Sequence, residues 1–137
     1  MNISSRCEYA CRAIIELARR TNQEEPATAL YIAEQRRIPE NYLVHILLQL
    51  KRAGLVRSVR GAQGGYLLAK SPDEISLFDV IRAIDGPVLD PLPVDDAAAK
   101  DLEPIWQEVS AAIERILKRV TVRGILDRSP KAHMYYI

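Results

Sequence analysis

NYLVHILLQLKRAGLVRSVRGAQGGYLLAK, residues 41–70, holds the pattern that decides the fold of this chain. Its first part places apolar residues at helical intervals, namely at Leu43, Ile46, Leu47 and Leu50. That spacing leaves Asn41, Val44 and His45 on another face of the helix, which Gly54 ends. Two short alternating runs, LVRSV and YLLA, then stand on either side of a glycine-rich segment. The stretch therefore predicts a helix followed by a β-hairpin.

The glycine-rich segment allows a second interpretation, a phosphate cradle for a nucleotide. From Gly64 to Ser71 it departs from the P-loop pattern only where Ala69 replaces the second glycine. A P-loop, however, needs a helix whose first turn carries the lysine and the serine. Here Lys70 follows a predicted strand, and Pro72 follows the serine. The glycines are better suited to a hairpin tip, where positive φ values and exposed amides are needed.

Helical patterns also precede this stretch. Ser5 and Glu8 have the spacing of a capping box, so a first helix is expected from about Ser5 to Arg20. Thr28 is expected to cap a short second helix whose inward residues are Leu30, Ile32 and Ala33. A tight break at Pro39 separates this helix from the third. The order helix, helix, turn, helix, hairpin is that of a winged helix-turn-helix.

Two further helices are predicted after the hairpin. Ser76 and Asp79 form a capping pattern ahead of a helix that Gly86 ends, and the proline-rich PVLDPLPVDD that follows cannot be regular. Beyond it, apolar residues are spaced by 4, 3, 4, 3 and 4 positions, at Leu102, Trp106, Val109, Ile113, Ile116 and Val120. A heptad seam of this kind most plausibly packs against the same helix of a second copy of the chain, so we predict a homodimer. The alternative is that this helix docks on its own domain, because fewer than three heptads are present.

The predicted fold class is mainly α with a small β-hairpin: a winged helix-turn-helix domain with a long C-terminal dimerisation helix. The expected division is a DNA-binding domain over 1–86, a linker or sensing loop over 87–100, the dimerisation helix with a short terminal helix over 101–126, and a tail over 127–137. Charge divides along the chain as well. Residues 1–70 carry 11 Lys and Arg against 6 Asp and Glu, whereas residues 71–137 carry 8 against 12. A basic first half hints at nucleic-acid contact, although an uneven solvated surface explains the charge equally well.

Several function classes are not expected for this sequence. No apolar run is long enough to span a membrane, and the first residues lack the order of a secretory signal. With only two cysteines and no disulfide framework, a cytoplasmic location is expected. Two histidines far apart and no nucleophile with a base leave an enzyme without catalytic residues, and no metal site is predicted.

In a winged helix, the third helix enters the major groove and the wing contacts the backbone or the minor groove. We therefore expect double-stranded DNA to be contacted by residues near the second and third helices and the hairpin: Thr28, Asn41, Tyr42, His45, Arg57, Ser58, Arg60, Gly61 and Gln63. Arg60, at the hairpin tip, is the strongest candidate, and Asn41 has the amide that pairs with adenine. Packing of Tyr42 in the turn and plain solvent exposure of His45 are the alternatives.

Cys7 and Cys11 share one face of the first helix and flank Glu8. This makes them a candidate redox pair. Packing in the core is the favoured alternative, since buried free cysteine is common.

RAIIELA at 12–18, the Ile38–Pro39 turn, AGLVRSVRG, GGY and ISLFDVIRAIDG occur in an order and spacing that resembles a known family. Over residues 1–88 the chain is similar to the Rrf2-type bacterial winged-helix regulators, which include IscR, NsrR and CymR. Residues 101–126 resemble the family's long dimerisation helix. The resemblance implies a homodimeric repressor on a partly palindromic operator, with the third helix in the major groove and the wing arginine in the minor groove.

The chain departs from the family pattern at three places. One is Val44, where cluster-sensing relatives can carry a glutamate that discriminates operators, a polar contact that valine could not make. Many members hold an iron–sulfur cluster with three cysteines in the loop after the DVIRA-type helix, but GPVLDPLPVDDAAAKDL contains none. No cofactor is therefore expected, and the signal is expected from an effector, a regulatory protein or a thiol change. Relatives often carry glycine where this chain has Arg37. A dimeric interaction module of the same fold that has lost DNA binding is the alternative function, against which Arg57 and Arg60 argue.

Overall fold

A computed structural model describes residues 2–20, 25–89 and 97–128. The chain is mainly α with a two-stranded antiparallel hairpin, which confirms the predicted fold class. The helices are α1 Ser5–Arg19, α2 Ala29–Arg36, α3 Glu40–Arg52, α4 Leu77–Asp85, α5 Ala99–Arg119 and α6 Val122–Asp127. The strands are β1 Val56–Val59 and β2 Gly65–Leu68, and a short 3-10 helix spans Pro72–Glu74.

The core lies where α1, α3 and α4 pack together beneath the hairpin. The residues of α3 that the periodicity assigned to the core are fully buried: Leu43, Ile46, Leu47 and Leu50. The prediction for α2 was wrong at one position. Ile32 and Ala33 are buried, but Leu30 is exposed, because at about 100° per residue it lies about 110° around the helix from the middle of the face that the other two form.

The start of α1 differs in detail from the predicted capping box. Ser4, not Ser5, is the N-cap: its Oγ accepts a hydrogen bond from the Cys7 amide at 3.0 Å. The same Oγ donates to Asp85 Oδ1 at 2.5 Å, which joins the start of α1 to the end of α4. Glu8 pairs with Arg12 instead of closing the box. The predicted capping box at the second serine was wrong because a partner 81 residues away fixes the first one.

The turn between α2 and α3 contains a backbone conformation that is unfavourable for its residue. Thr28 caps α2 as predicted, accepting from the Tyr31 amide at 3.1 Å. Arg37 ends the helix at φ 54° and ψ 50°, and among the described residues it alone has a positive φ without being glycine. This left-handed conformation costs a non-glycine residue about 1 to 2 kcal/mol. Glycine would adopt this conformation without that cost.

A third segment extends the hairpin sheet. β1 and β2 pair from Val56 opposite Leu68 to Val59 opposite Gly65. On its other side, β2 meets Ala27, two residues before α2. The Ala27 amide donates to the Tyr66 carbonyl at 3.0 Å, and the Tyr66 amide donates to the Ala27 carbonyl at 2.8 Å. The hairpin is therefore fixed to the start of α2.

The C-terminal end of α5 is joined to the start of α4. The Leu77 amide donates to the Val120 carbonyl at 2.8 Å, and the Val122 amide donates to the Ile75 carbonyl at 2.8 Å. No residue of α5 is buried, and most of its large apolar side chains are exposed: Leu102, Ile105, Trp106, Val109 and Ile116. Ile113 and Val120 of the predicted seam are half-buried.

Parts of the predicted linker and tail, residues 90–96 and 129–137, lie outside the described residues. Within the described ranges, no helix combines the length and the apolar character that a membrane span requires.

Candidate nucleic-acid interface

The outward face of α3 lies opposite its buried face. It is formed by four exposed residues at helical spacing, Asn41, Val44, His45 and Leu48. The structure thus brings the two predicted base-contacting residues, Asn41 and His45, together one turn apart. Val44 lies on this face as its spacing predicted, whereas Leu48 was missed as a candidate contact residue because apolar side chains on a helix are first assigned to the core. The position of Leu48 outside the stripe that contains Leu43 was the signal available in the sequence.

Tyr42 lies beside this face, against α1. Its ring centroid is 6.4 Å from that of Tyr9, and the Arg12 guanidinium lies 5.4 Å from the centre of the Tyr9 ring. About two turns further along α3, Gln49 accepts a hydrogen bond from the Arg6 side chain. Tyr42 therefore contacts α1 and not the turn, while its side chain stays 49% exposed and open to a ligand.

The hairpin presents a basic, exposed surface. Arg57 and Ser58 lie on β1, and Arg60, Gly61 and Gln63 lie in the turn that follows; all five are exposed. Gly61 has φ +113°. A Cβ there would meet nothing within 4 Å, so the backbone is also open to a ligand on that side. Open backbone beside an arginine permits close approach to phosphate groups.

Thr28 is placed near the wing by the pairing of Ala27 with β2. Its hydroxyl oxygen already accepts from the Tyr31 amide, which leaves its proton available to donate. The guanidinium of Arg20 lies 5.1 Å from the centre of the Tyr31 ring and donates to the Glu25 carbonyl. The start of α2, the wing and the face of α3, with Tyr42 beside that face, thus contain all the predicted DNA-contacting residues.

A buried ion pair supports the turn behind this surface. Arg36 Nε donates to Glu16 Oε1 at 2.8 Å, and both side chains are largely buried. Arg12 Nη1 donates to the Arg36 carbonyl at 3.3 Å, at the end of α2. Arg36 Nη2 is buried without a hydrogen-bond partner among the described residues. These contacts position α2 on α1.

The two cysteines lie apart from this surface. Cys7 is fully buried and Cys11 is half-buried, beside the apolar side chains of Ile14, Val80 and Val122. The neighbouring Cys11 thiol and burial raise the pKa of Cys7, whereas the hydrogen bond from Cys7 lowers the pKa of Cys11. A redox role for the pair stays a prediction.

Metal ligands are not grouped in the described part of the chain. No three His, Cys, Asp or Glu side chains come together there. The segment 86–102 contains no cysteine in the sequence, and the only two thiols lie on one face of α1. These residues do not fit a thiolate-ligated iron–sulfur cluster.

Comparison with known proteins agrees with the arrangement of the elements. Residues 3–128 match the Rrf2 family, which is described as "Iron-dependent Transcriptional regulator". The chain is 35% identical over 142 residues to the HTH-type transcriptional regulator CymR of Bacillus subtilis, with 100% of both chains covered. It is 41% identical over 138 residues to IscR of Pectobacterium carotovorum, which covers 93% of this chain and 80% of the relative.

Solved structures show the same architecture. The structure of CymR (YrzC), the global cysteine regulator of B. subtilis, matches with a TM-score of 0.80 at 32% identity, covering 94% of this chain and 98% of that one. The structure of T. potens IscR matches with a TM-score of 0.75 at 34% identity, covering 99% and 97%. These relatives are regulators and not enzymes. This chain therefore belongs to the Rrf2 family of DNA-binding transcriptional regulators.

Proposed function

We propose that the chain is a homodimeric, sequence-specific repressor that binds a partly palindromic operator in double-stranded DNA. The observation that carries this proposal is the outward face of α3, exposed beside an exposed hairpin that carries Arg57 and Arg60. A helix of this kind reads base edges in the major groove, and basic side chains beside it neutralise phosphate groups.

The roles divide by chemistry. Asn41 has an amide that pairs with adenine, and His45 can donate to or accept from a base edge or a phosphate. Arg60 reaches the minor groove from the wing, with Gly61 and Gln63 beside it. Arg57, Ser58 and Thr28 are suited to phosphate contacts. Tyr42 completes the surface at its border with α1.

Arg60→Ala tests the DNA contact. If Arg60 reads a base, the substitution weakens operator binding by about 1 to 3 kcal/mol and relaxes specificity at that position. If it touches only phosphate, binding weakens evenly across sequences. The slope of log affinity against log salt concentration then becomes shallower by about one. Fluorescence anisotropy at several salt concentrations, on an operator selected from random duplexes, separates the two outcomes.

Arg82→Ala is the matched control, because it removes the same charge from an exposed position on α4. It should leave specific binding nearly unchanged. Equal affinities for wild type and Arg60→Ala would contradict the wing contact. A chain that selects no duplex at all would instead be a dimeric interaction module of the same fold.

The homodimer is proposed from the exposed apolar side chains of α5. Leu102, Trp106, Val109 and Ile116 recur along the helix without being covered by their own domain, and Ile105 adjoins them. Ile113 and Val120, which are half-buried, are the other two residues of the predicted seam. A second α5 would cover this apolar surface, and a two-fold symmetric pair would present two winged domains to a palindromic site.

Trp106→Ala tests the dimer. Trp106 is 42% exposed at the centre of the apolar face, where large aromatic side chains contribute most to an interface. We expect self-association to weaken by at least about thirtyfold, measured by analytical ultracentrifugation. Gln107→Ala, exposed on the opposite side of the helix, should leave it unchanged. A wild-type chain that stays monomeric at micromolar concentration would contradict the proposal.

Control of the repressor is proposed to act without a resident cluster. The available thiols do not fit one, so the signal would arrive through an effector, a regulatory protein or a change at Cys7 and Cys11. Among related proteins of known structure, CymR of B. subtilis is described as a global cysteine regulator, and CymR of Staphylococcus aureus has been solved in an oxidized form. These descriptions support testing sulfur compounds and oxidants first as the signal that controls this chain.

A further inference from the structure

Two apolar side chains lie on the outward face of α3 among polar ones. Val44 is 50% exposed and Leu48 is 43% exposed, while Asn41 and His45 flank them at helical spacing. The core side of the helix is already filled by four other residues, so neither side chain is needed there. Their exposure costs hydrophobic free energy in the free protein, which contact with an apolar group would recover.

The chemistry of this face favours one occupant. A protein groove that accepts a helix is matched by a continuous apolar stripe, but here the apolar side chains are interrupted by an amide and an imidazole. The major groove of DNA has that mixture: polar base edges with the isolated 5-methyl group of thymine between them. The exposed arginines of the neighbouring hairpin complement phosphate and not an apolar partner.

The position of Val44 along α3 makes it a better candidate for a base contact than Leu48. Base contacts come from the N-terminal residues of a recognition helix. Val44 lies three residues after Asn41, about 4.5 Å along the helix axis, which is close to one base-pair step of about 3.4 Å. Leu48 lies about 6 Å further along, towards the end of the helix.

We propose that Val44 reads the 5-methyl group of a thymine in each half of the operator, within one or two base pairs of the base that Asn41 contacts. The inference rests on the proposed function and adds a specificity determinant to it. An apolar contact of this kind distinguishes thymine from cytosine and from uracil.

Uracil substitution isolates the methyl group. An operator is selected from random duplexes with the wild-type protein, and each thymine of the half-sites is then replaced singly by deoxyuridine. At one position in each half, wild type should bind about fourfold more weakly, the value of one buried methyl group. Val44→Ala should bind the original operator more weakly and should show no uracil penalty at that position.

Leu48→Ala is the matched control, because it removes a similarly exposed apolar side chain from the same face. This variant should still bind the uracil-substituted operator more weakly than the original one. The proposal is overturned if no position is sensitive to uracil, if Val44→Ala keeps the full penalty, if Leu48→Ala abolishes it, or if the half-sites contain no thymine. Each of these results leaves specific DNA binding intact. Failure to select any sequence would instead overturn the proposed function itself.

Discussion

Gly65→Ala should detach the wing from the rest of the domain and lower the free energy of unfolding by about 3 kcal/mol or more. A loss of this size is among the largest that a single substitution causes. A Cβ at Gly65 would lie 2.5 Å from the carbonyl oxygen of Ala27 and 2.6 Å from its carbonyl carbon, and both are backbone atoms that cannot rotate away. Gly65 also has φ +153°, which L side chains rarely adopt. Relief would require breaking the two hydrogen bonds between Ala27 and Tyr66.

Urea unfolding followed by circular dichroism measures this loss, and operator affinity should fall with it because the wing arginines leave their place. Gly124→Ala is the control within the same fold. Its Cβ would meet only the Thr121 hydroxyl, at 3.4 Å, and alanine is the better residue inside α6. That variant should be as stable as wild type or slightly more so. Equal stability of the two variants would show that β2 does not pack against residue 27.

Glu16→Gln should cause the second large loss of stability, lowering the free energy of unfolding by about 3 kcal/mol. The carboxylate of Glu16 is the ion-pair partner of Arg36, and side-chain exposures of 11% and 20% leave little water to replace it. Removing one partner of a buried pair leaves an uncompensated charge, which costs more than the pair itself contributes. The cost is large here because Arg36 Nη2 already has no partner among the described residues.

The measurement is again urea unfolding. Glu8→Gln, on the same helix, is the control: it breaks the exposed pair with Arg12, whose partners are 38% and 56% exposed, and should cost at most a few tenths of a kcal/mol. We also expect Glu16→Gln to lower operator affinity, since α2 and the turn into α3 lose their support. A loss no larger than that of the exposed pair would mean that Glu16 contributes little to the position of α2.

Local patterns predicted most of the secondary structure. The helix through Leu43 and Leu50, the hairpin after Gly54 and the capping box of Ser76 with Asp79 were confirmed. Each depends on residues within a few positions of one another, where side-chain periodicity and cap geometry act directly.

Contacts between distant residues could not be predicted in this way. The choice of Ser4 as cap depends on Asp85, the third segment of the sheet depends on Ala27 meeting Tyr66, and the ion pair joins residues 16 and 36. None of these pairs has a sequence spacing that marks it. The candidate site was predicted as far as its polar residues and the outward position of Val44, but Leu48 became a candidate only once its exposure was known.

The junction between α4 and α5 would have a mechanical consequence in the proposed homodimer. A helix of 21 residues acts as a lever about 30 Å long, so a tilt of about 10° at its fastened end displaces the far end by about 5 Å. That exceeds one base-pair step of about 3.4 Å. The rigidity of this junction depends on two backbone hydrogen bonds, Leu77 to Val120 and Val122 to Ile75. It would therefore determine the spacing along the duplex of the two half-sites that the dimer can bind.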